Sequence, residues 1–330
     1  MIKKKRFLLI GAVLLCIVSV FCSLCMGAAH LSLAQLWQAI RCGAVDTAGY
    51  IFWYSRLPRT CACLLAGAAL ACSGCILQSV LGNQLASPGI IGVNAGAGLA
   101  VTICCACDIL SGWTISLASF LGAMAAVLIV VILARKTGAS RTTVILAGVA
   151  MNSIMGAFRD AVTTLVPDVA MLSGEFRVGG FSTVVTTRLI PAAVLICVAL
   201  TLVHTMCNEL DVLALGEETA QSLGLSVKKI RTLLLLLAAL LAGAAVSFAG
   251  LLGFVGLLIP HVSRNLVGNE SRYLLPLSVI LGAGFVTISD LVSRLVFAPY
   301  ELPVGILMAV IGGPFFLILL LKRKGGHSYA

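Results

Sequence analysis

Asp160 beside Arg159, Asp290 four residues before Arg294, His204, His261 and the cysteines at 104, 105 and 107 are the residues of this chain whose types could do chemistry, because each falls in or beside a strongly apolar run. A charge in hydrocarbon is costly unless paired or wet, so such residues mark ion paths, ligand sites or structural pairs. Asp290 and Arg294 stand one helical turn apart, and a mutual i, i+4 pair is the simplest reading. Arg159 and Asp160 are adjacent and point to different faces of a helix, where they either line an outer mouth for an anionic ligand or mark the membrane interface. The two lone histidines read as capping or interfacial groups rather than metal ligands. Of the 13 cysteines, Cys61, Cys63, Cys72 and Cys75 lie in apolar runs as small packing residues. Cys104, Cys105 and Cys107 would suit only a soft metal, and no pair has the spacing of a closed zinc or iron–sulfur site. HExxH, GxSxG and paired-aspartate patterns are absent, so no catalytic residue, metal ligand or bound cofactor is assigned.

The elements that must position these residues are membrane helices. With 60% apolar and 10% charged residues over 330 positions, and a mean hydropathy of +1.12, the chain is no soluble globule, whose charged fraction is nearer about 25%. Roughly 20 apolar residues span ~30 Å of hydrocarbon as a helix, and backbone groups in lipid must be satisfied within the segment. The expected fold is therefore all-α and polytopic, a single membrane domain over 1–330 with ten spans at about 7–27, 60–81, 90–107, 113–134, 142–166, 189–207, 230–249, 251–268, 274–296 and 304–321. Fifteen of the 22 basic residues, including Lys3 to Arg6, Arg135, Arg141, Lys228, Arg231, Arg272 and Lys322 to Lys324, fit one side of that arrangement. The positive-inside tendency makes that side, and both termini, cytoplasmic. The region 230–268 lacks a polar break and is read as two short helices turning at Gly250 and Gly253, and the first span as an uncleaved anchor. The net charge of +10 is explained by this topology and by attraction to anionic lipid, not by nucleic acid.

Two further patterns concern organisation. Residues 65–74, LAGAALACSG, align without gaps on 241–250, LAGAAVSFAG, with six identities in ten. The copies lie on spans of opposite direction, five helices apart, and inverted repeats of this kind enclose midplane paths in many transporters. The second pattern is NELDVLALGEETAQSLGLSVKKIR, residues 208–231, a long polar stretch in a chain that is otherwise membrane. Gly216 and Gly224 sit at break positions around Glu217, Glu218, Thr219, Ala220 and Gln221. The apolar Leu213, Leu215, Leu223 and Leu225 would be superfluous in a plain loop, so the segment reads as a short helix, a turn and another short helix. No Gly-Lys dipeptide occurs, which excludes a phosphate-binding P-loop.

Four stretches carry a resemblance: Arg56 to Ala100, beginning RLPRTCACLLAGAAL; LALGEETAQSLGL at 213–225; GLLGFVGLLIPHVSRNLVG at 250–268; and ELPVGILMAVIGGP at 301–314. Together they resemble the permease subunits of binding-protein-dependent ABC importers for iron-siderophores, haem and cobalamin, in that family's order and spacing. The departures are Gln84, where the family usually has Pro, and a loose match over 173–188. The resemblance implies a homodimeric permease in a bacterial cytoplasmic membrane, two ATP-binding subunits that hold ATP and Mg on the cytosolic side, and an extracytoplasmic substrate-binding protein. It assigns Leu213, Ala214, Leu215, Gly216, Glu217, Glu218, Ala220, Leu223 and Gly224 to coupling with the ATPase, and Arg56, Arg59 and Arg294 to docking of the binding protein. Gln78, Asn83, Gly92, Asn94, Gly96 and Gly98 become path or gate candidates, joined by Arg159 and Asp160 from their own chemistry. An ion-coupled secondary transporter is the alternative from another class, though Asp160 and Asp290 are its only intramembrane carboxylates.

Overall fold

Small residues decide the centre of this molecule. The computed structural model describes residues 2–27, 31–136, 140–296, 298 and 300–324, with the side chains at 2, 319, 320 and 322–324 outside that description. Lys322, Arg323 and Lys324, expected at the cytosolic side, are among these. The chain begins with α1 (Ile2–Cys25) and α2 (Leu33–Cys42), followed by α3 (Thr47–Tyr50), a π turn (Ile51–Arg56) and α4 (Leu57–Val80) in one unbroken rod. A 3-10 turn (Pro88–Ile91) leads into α5 (Val93–Ala106), α6 (Gly112–Lys136) and α7 (Arg141–Leu165). Two short helices, α8 (Asp168–Leu172) and α9 (Gly174–Val178), precede α10 (Thr186–Thr205), α11 (Cys207–Ala214) and α12 (Glu217–Ser222). The last four are α13 (Val227–Ala249), α14 (Val255–Val267), α15 (Ser271–Val296) and α16 (Val304–Lys324).

All ten expected spans coincide with helices; among the described residues, 7 of these helices are long and apolar enough to cross a membrane unaided, while α5, α14 and the described part of α16 are shorter. Helices α5 and α14 have 14 and 13 residues. At 1.5 Å per residue they cover about 20 Å, short of the ~30 Å required. Non-helical chain makes up the difference. Gly250 packs against the Phe176 carbonyl and Gly179 at one end of the bundle, and Gly256 lies on Gly74, deep along α4. Residues 250–254 thus descend to mid-depth before α14 starts. The two short helices expected over 230–268 are in fact one full-length helix of 23 residues and one half-length helix. Gly250 makes the turn at φ +69, a region open to glycine at no steric cost. Gly253 does not share that conformation.

Within lipid, helices associate through close packing of small side chains rather than through the hydrophobic effect. Helix α4, rich in Ala, Gly and Cys, is buried on every side from Ala66 to Val80. A Cβ on Gly67 would collide with the Gly282 carbonyl of α15, and one on Gly74 with Gly256 of α14. Cys63, Cys72 and Cys75 are buried here as packing residues, with Cys61 half-buried at the edge.

The repeat is visible in the packing. Helix α4 lies on α14 and α15 as α13 lies on α5 and α6, and α5 meets α6 and α7 as α14 meets α15 and α16. Gly67 faces α15, and its counterpart in the aligned repeat, Gly243, faces Ala123 of α6. Helices α4 and α13 touch through Ser73 Oγ, which donates to the Ala238 carbonyl (2.7 Å). They run antiparallel: Gly82, just past α4, touches Arg141, while Arg231, near the start of α13, pairs with Glu217, which Arg141 also approaches at 3.9 Å.

Candidate functional site

The end of the bundle that gathers Lys5, Arg141 and Arg231 also carries the polar segment. Lys5 pairs with Glu270 (2.7 Å), and Asp211 accepts from the Ser271 backbone N–H (2.9 Å), which ties α11 to the start of α15. Helix α11 ends at Ala214, the chain reverses at Gly216 (φ +115), and α12 follows from Glu217. The expected helix, turn and helix are therefore present, the first helix starting earlier, at Cys207. Leu213 and Ala220 are fully buried anchors, and Leu215 and Leu223 stand 64% and 63% exposed at the tip. Ala214, Glu218 and Gly224 are exposed as well. Glu217 is the hinge pin of the arrangement: its Oε1 accepts from Arg231, whose side chain is almost entirely buried. Arg141, beside the same oxygen, donates through Nη2 to the Leu213 carbonyl (2.8 Å). The 217 carboxylate thereby joins α12 to α13, α11 and the first residue of α7. An exposed apolar tip on a rigidly tied base is a surface suited to being gripped.

At the opposite end lies a charged cluster. Asp290, almost fully buried, accepts from Arg59 Nε (3.1 Å) and Nη2 (3.0 Å) and from Arg294 Nε (3.1 Å). The i, i+4 pair read from the sequence is thus present, with Arg59 from α4 as a third member. Arg59 continues to Glu301 (2.7 Å) before α16. Arg294 also donates to Ser23 Oγ (2.9 Å), and Arg56 to the Leu24 carbonyl (2.6 Å) at the end of α1. Arg56 and Arg294 are only 4% and 5% exposed, so of the three arginines expected at the docking rim, Arg59 is joined to the surface, through the half-exposed Glu301.

Of the path candidates, Gly92, Asn94, Gly96 and Gly98 lie at the start of or on the half-helix α5, while Gln78 lies near the end of α4 and Asn83 just past it. Gln78 is buried near the end of α4, its amide nitrogen 3.4 Å from the Gly256 carbonyl. Asn83 Oδ1 accepts from the Leu85 N–H (2.9 Å), forming the turn that precedes the 3-10 segment despite the Gln84 departure. Gly92 opens α5, Asn94 is half-buried, Gly96 packs on the Gly122 backbone, and a Cβ on Gly98 would lie 3.7 Å from Leu251. Asn152 of α7 was not foreseen: its amide donates to the Gly89 carbonyl (2.8 Å), clamping the non-helical approach to α5. An asparagine inside an apolar helix was the available signal. Arg159 and Asp160 are on the far half of α7, away from this group. They pair with each other (2.9 Å) rather than pointing apart, because the long guanidinium reaches across the ~100° between neighbouring positions.

His261 lies in contact with Asn265 (3.1 Å) and edge-on to Phe315, and His204 near Cys207. Among the described residues, no three His, Cys, Asp or Glu side chains gather as metal ligands.

A model of the FecCD transport family matches residues 15–322. The iron(3+)-hydroxamate import system permease protein FhuB of Bacillus subtilis is 36% identical over 323 residues, covering 97% of this chain and 84% of its own. The vitamin B12 import system permease protein BtuC of Klebsiella pneumoniae is 35% identical over 334 residues, covering 98% and 96%. Among solved structures, an inward-facing metal-chelate type ABC transporter superposes with a TM-score of 0.85 at 28% identity, over 96% of this chain and 99% of the other.

Proposed function

Since this chain belongs to the FecCD transport family, we propose that it is the membrane permease subunit of a binding-protein-dependent ABC importer, carrying a ferric siderophore inward across a bacterial cytoplasmic membrane. The observation that carries this reading is the α11–α12 element, with Leu215 and Leu223 exposed at its tip and Glu217 tied to α13. ATP and Mg belong to a separate subunit pair that grips this tip, since the chain has no P-loop. A movement of the tip is passed through Glu217 and Arg231 into α13, which packs on α4, α5 and α6. Helix α5 and its approach, with Gln78, Asn83, Gly92, Asn94, Gly96 and Gly98, then shift against α7 and α14. A second copy of the chain completes the path at the dimer axis. The outer ends of α4 and α15, held by Arg56, Arg59 and Arg294, receive the loaded binding protein. Charge at such a rim governs encounter and register more than affinity. Haem or cobalamin is the second reading, supported by 34% identity to a hemin permease and 35% identity to a vitamin B12 permease.

The test is ATPase activity in proteoliposomes holding this chain with its ATPase and binding protein. Hydrolysis stimulated by the loaded binding protein is expected in the wild type and lost in Gly216→Pro and Glu217→Arg. A proline cannot adopt the φ of +115 found at 216, and the arginine would face Arg231. Uptake that follows an ion gradient, with no ATPase co-purifying, would assign the chain to secondary transport.

A further inference from the structure

At the end of the bundle opposite the α11–α12 element, two cavities share a wall. The first, about 300 Å³, lies between the ends of α5 and α13, the start of α6 and the 172–188 segment, and holds both Glu175 and Arg188. The second, about 310 Å³, is an apolar groove between α6, α10 and α13, lined by Trp113, Leu117, Phe120, Pro191, Leu195 and Ala244. Ser116, Arg188 and Ser247 belong to both. The groove runs along α6 from Trp113 to Phe120, roughly 10 Å at 1.5 Å per residue. That is about two-thirds of one ~15 Å leaflet of a ~30 Å core.

We infer that these joined cavities are a binding site for a zwitterionic aminophospholipid of the outward-facing leaflet, one acyl chain lying in the groove, its phosphate on Arg188 and its ammonium on Glu175. Helices α6, α10 and α13 are each long and apolar enough to cross a membrane, so a groove between them faces hydrocarbon. Trp113 and Leu117 are 52% and 58% exposed in it. A guanidinium matches phosphate through charge-assisted, paired hydrogen bonds, and Arg188 is steadied for this by Nη2, which donates to the Thr183 carbonyl (2.9 Å). Glu175 is likewise fixed, accepting from Ser182 Oγ (2.8 Å). A purely anionic headgroup would meet repulsion from that carboxylate, whereas a headgroup with both charges is complemented at both. Trp113, at the polar border of the groove, occupies the headgroup level where tryptophan is enriched. The two charges come from the 173–188 stretch that matches the family resemblance only loosely, and the site needs no assumption about cargo.

Native mass spectrometry of the full-length chain in detergent, titrated with phosphatidylethanolamine or phosphatidylglycerol, tests this. Phosphatidylethanolamine adducts should be favoured by roughly tenfold, a ~1.4 kcal/mol difference. Arg188→Gln should lose most of that binding, Glu175→Gln should narrow the gap between the two lipids, and Leu117→Trp should fill the groove and remove the adduct. Thermal midpoints of the variants establish that each is folded. Equal binding of both lipids by the wild type, unchanged binding by Arg188→Gln, or displacement of the lipid by inorganic phosphate alone would overturn the proposal. So would a Leu117→Trp variant that dissociates a dimer, since the groove would then be a contact between subunits.

Discussion

Asp290 shows what single residues do in this chain. It is nearly fully buried and faces two guanidiniums, at a point where charge without partners is expensive. Removing one member of such a group leaves the others uncompensated. Asp290→Asn is therefore expected to destabilise the protein by about 3–5 kcal/mol, read as a lower thermal midpoint in detergent. A midpoint equal to the wild type would mean that water already satisfies Arg59 and Arg294. The same logic makes Asn152→Leu a milder change: neutral hydrogen bonds to the Gly89 and Ile90 carbonyls are lost, worth about 1 kcal/mol each, and transport should suffer more than stability. The pairing of Asp290 with Arg294 was legible because both lie on one helix at a fixed interval. Arg59 was not, because it meets Asp290 across 231 residues of sequence. Glu217 and Arg231 were equally hidden, since a reversal at Gly216 and the turn before α13 separate them.

At the scale of the element, apolar length predicted where helices lie and failed to predict how far each reaches. Hydropathy records that 251–268 prefers lipid but carries no measure of depth, so a half-length helix reached by non-helical chain looks like a short full span. Gly250 gave the one hint of this, as the place where the chain turns. Helix contacts give a graded prediction. A methyl at Gly67 would strike the Gly282 backbone, which cannot yield, whereas one at Gly243 would meet the Ala123 methyl at 3.3 Å. Gly67→Ala should therefore lower the yield of monodisperse protein in size-exclusion chromatography far more than Gly243→Ala. The reverse order would mean that α4 and α15 have room to separate.

For the whole molecule, the proposed second copy belongs against the exposed side of α7. Ser153, Asp160 and Thr164 are exposed along it, and a polar line of this kind is poorly suited to lipid. A second copy with water at the axis would accommodate it, and light scattering corrected for detergent should then give twice 34.2 kDa. Ser153→Arg should shift the mass towards a single chain, and no shift would move the contact to another helix. This level was partly legible: the repeat was visible over ten residues, and the reciprocal packing of the two halves followed only from the structure.

The mirrored contacts at Gly67 and Gly243 have a consequence for biogenesis. Two halves that are inverted copies must enter the membrane in opposite senses, so they need opposite instructions from the charges in their loops. A basic residue moved from one face to the other would therefore act on insertion before it acted on any finished contact. Nascent chains, rather than the mature fold, would be where such a variant is rejected.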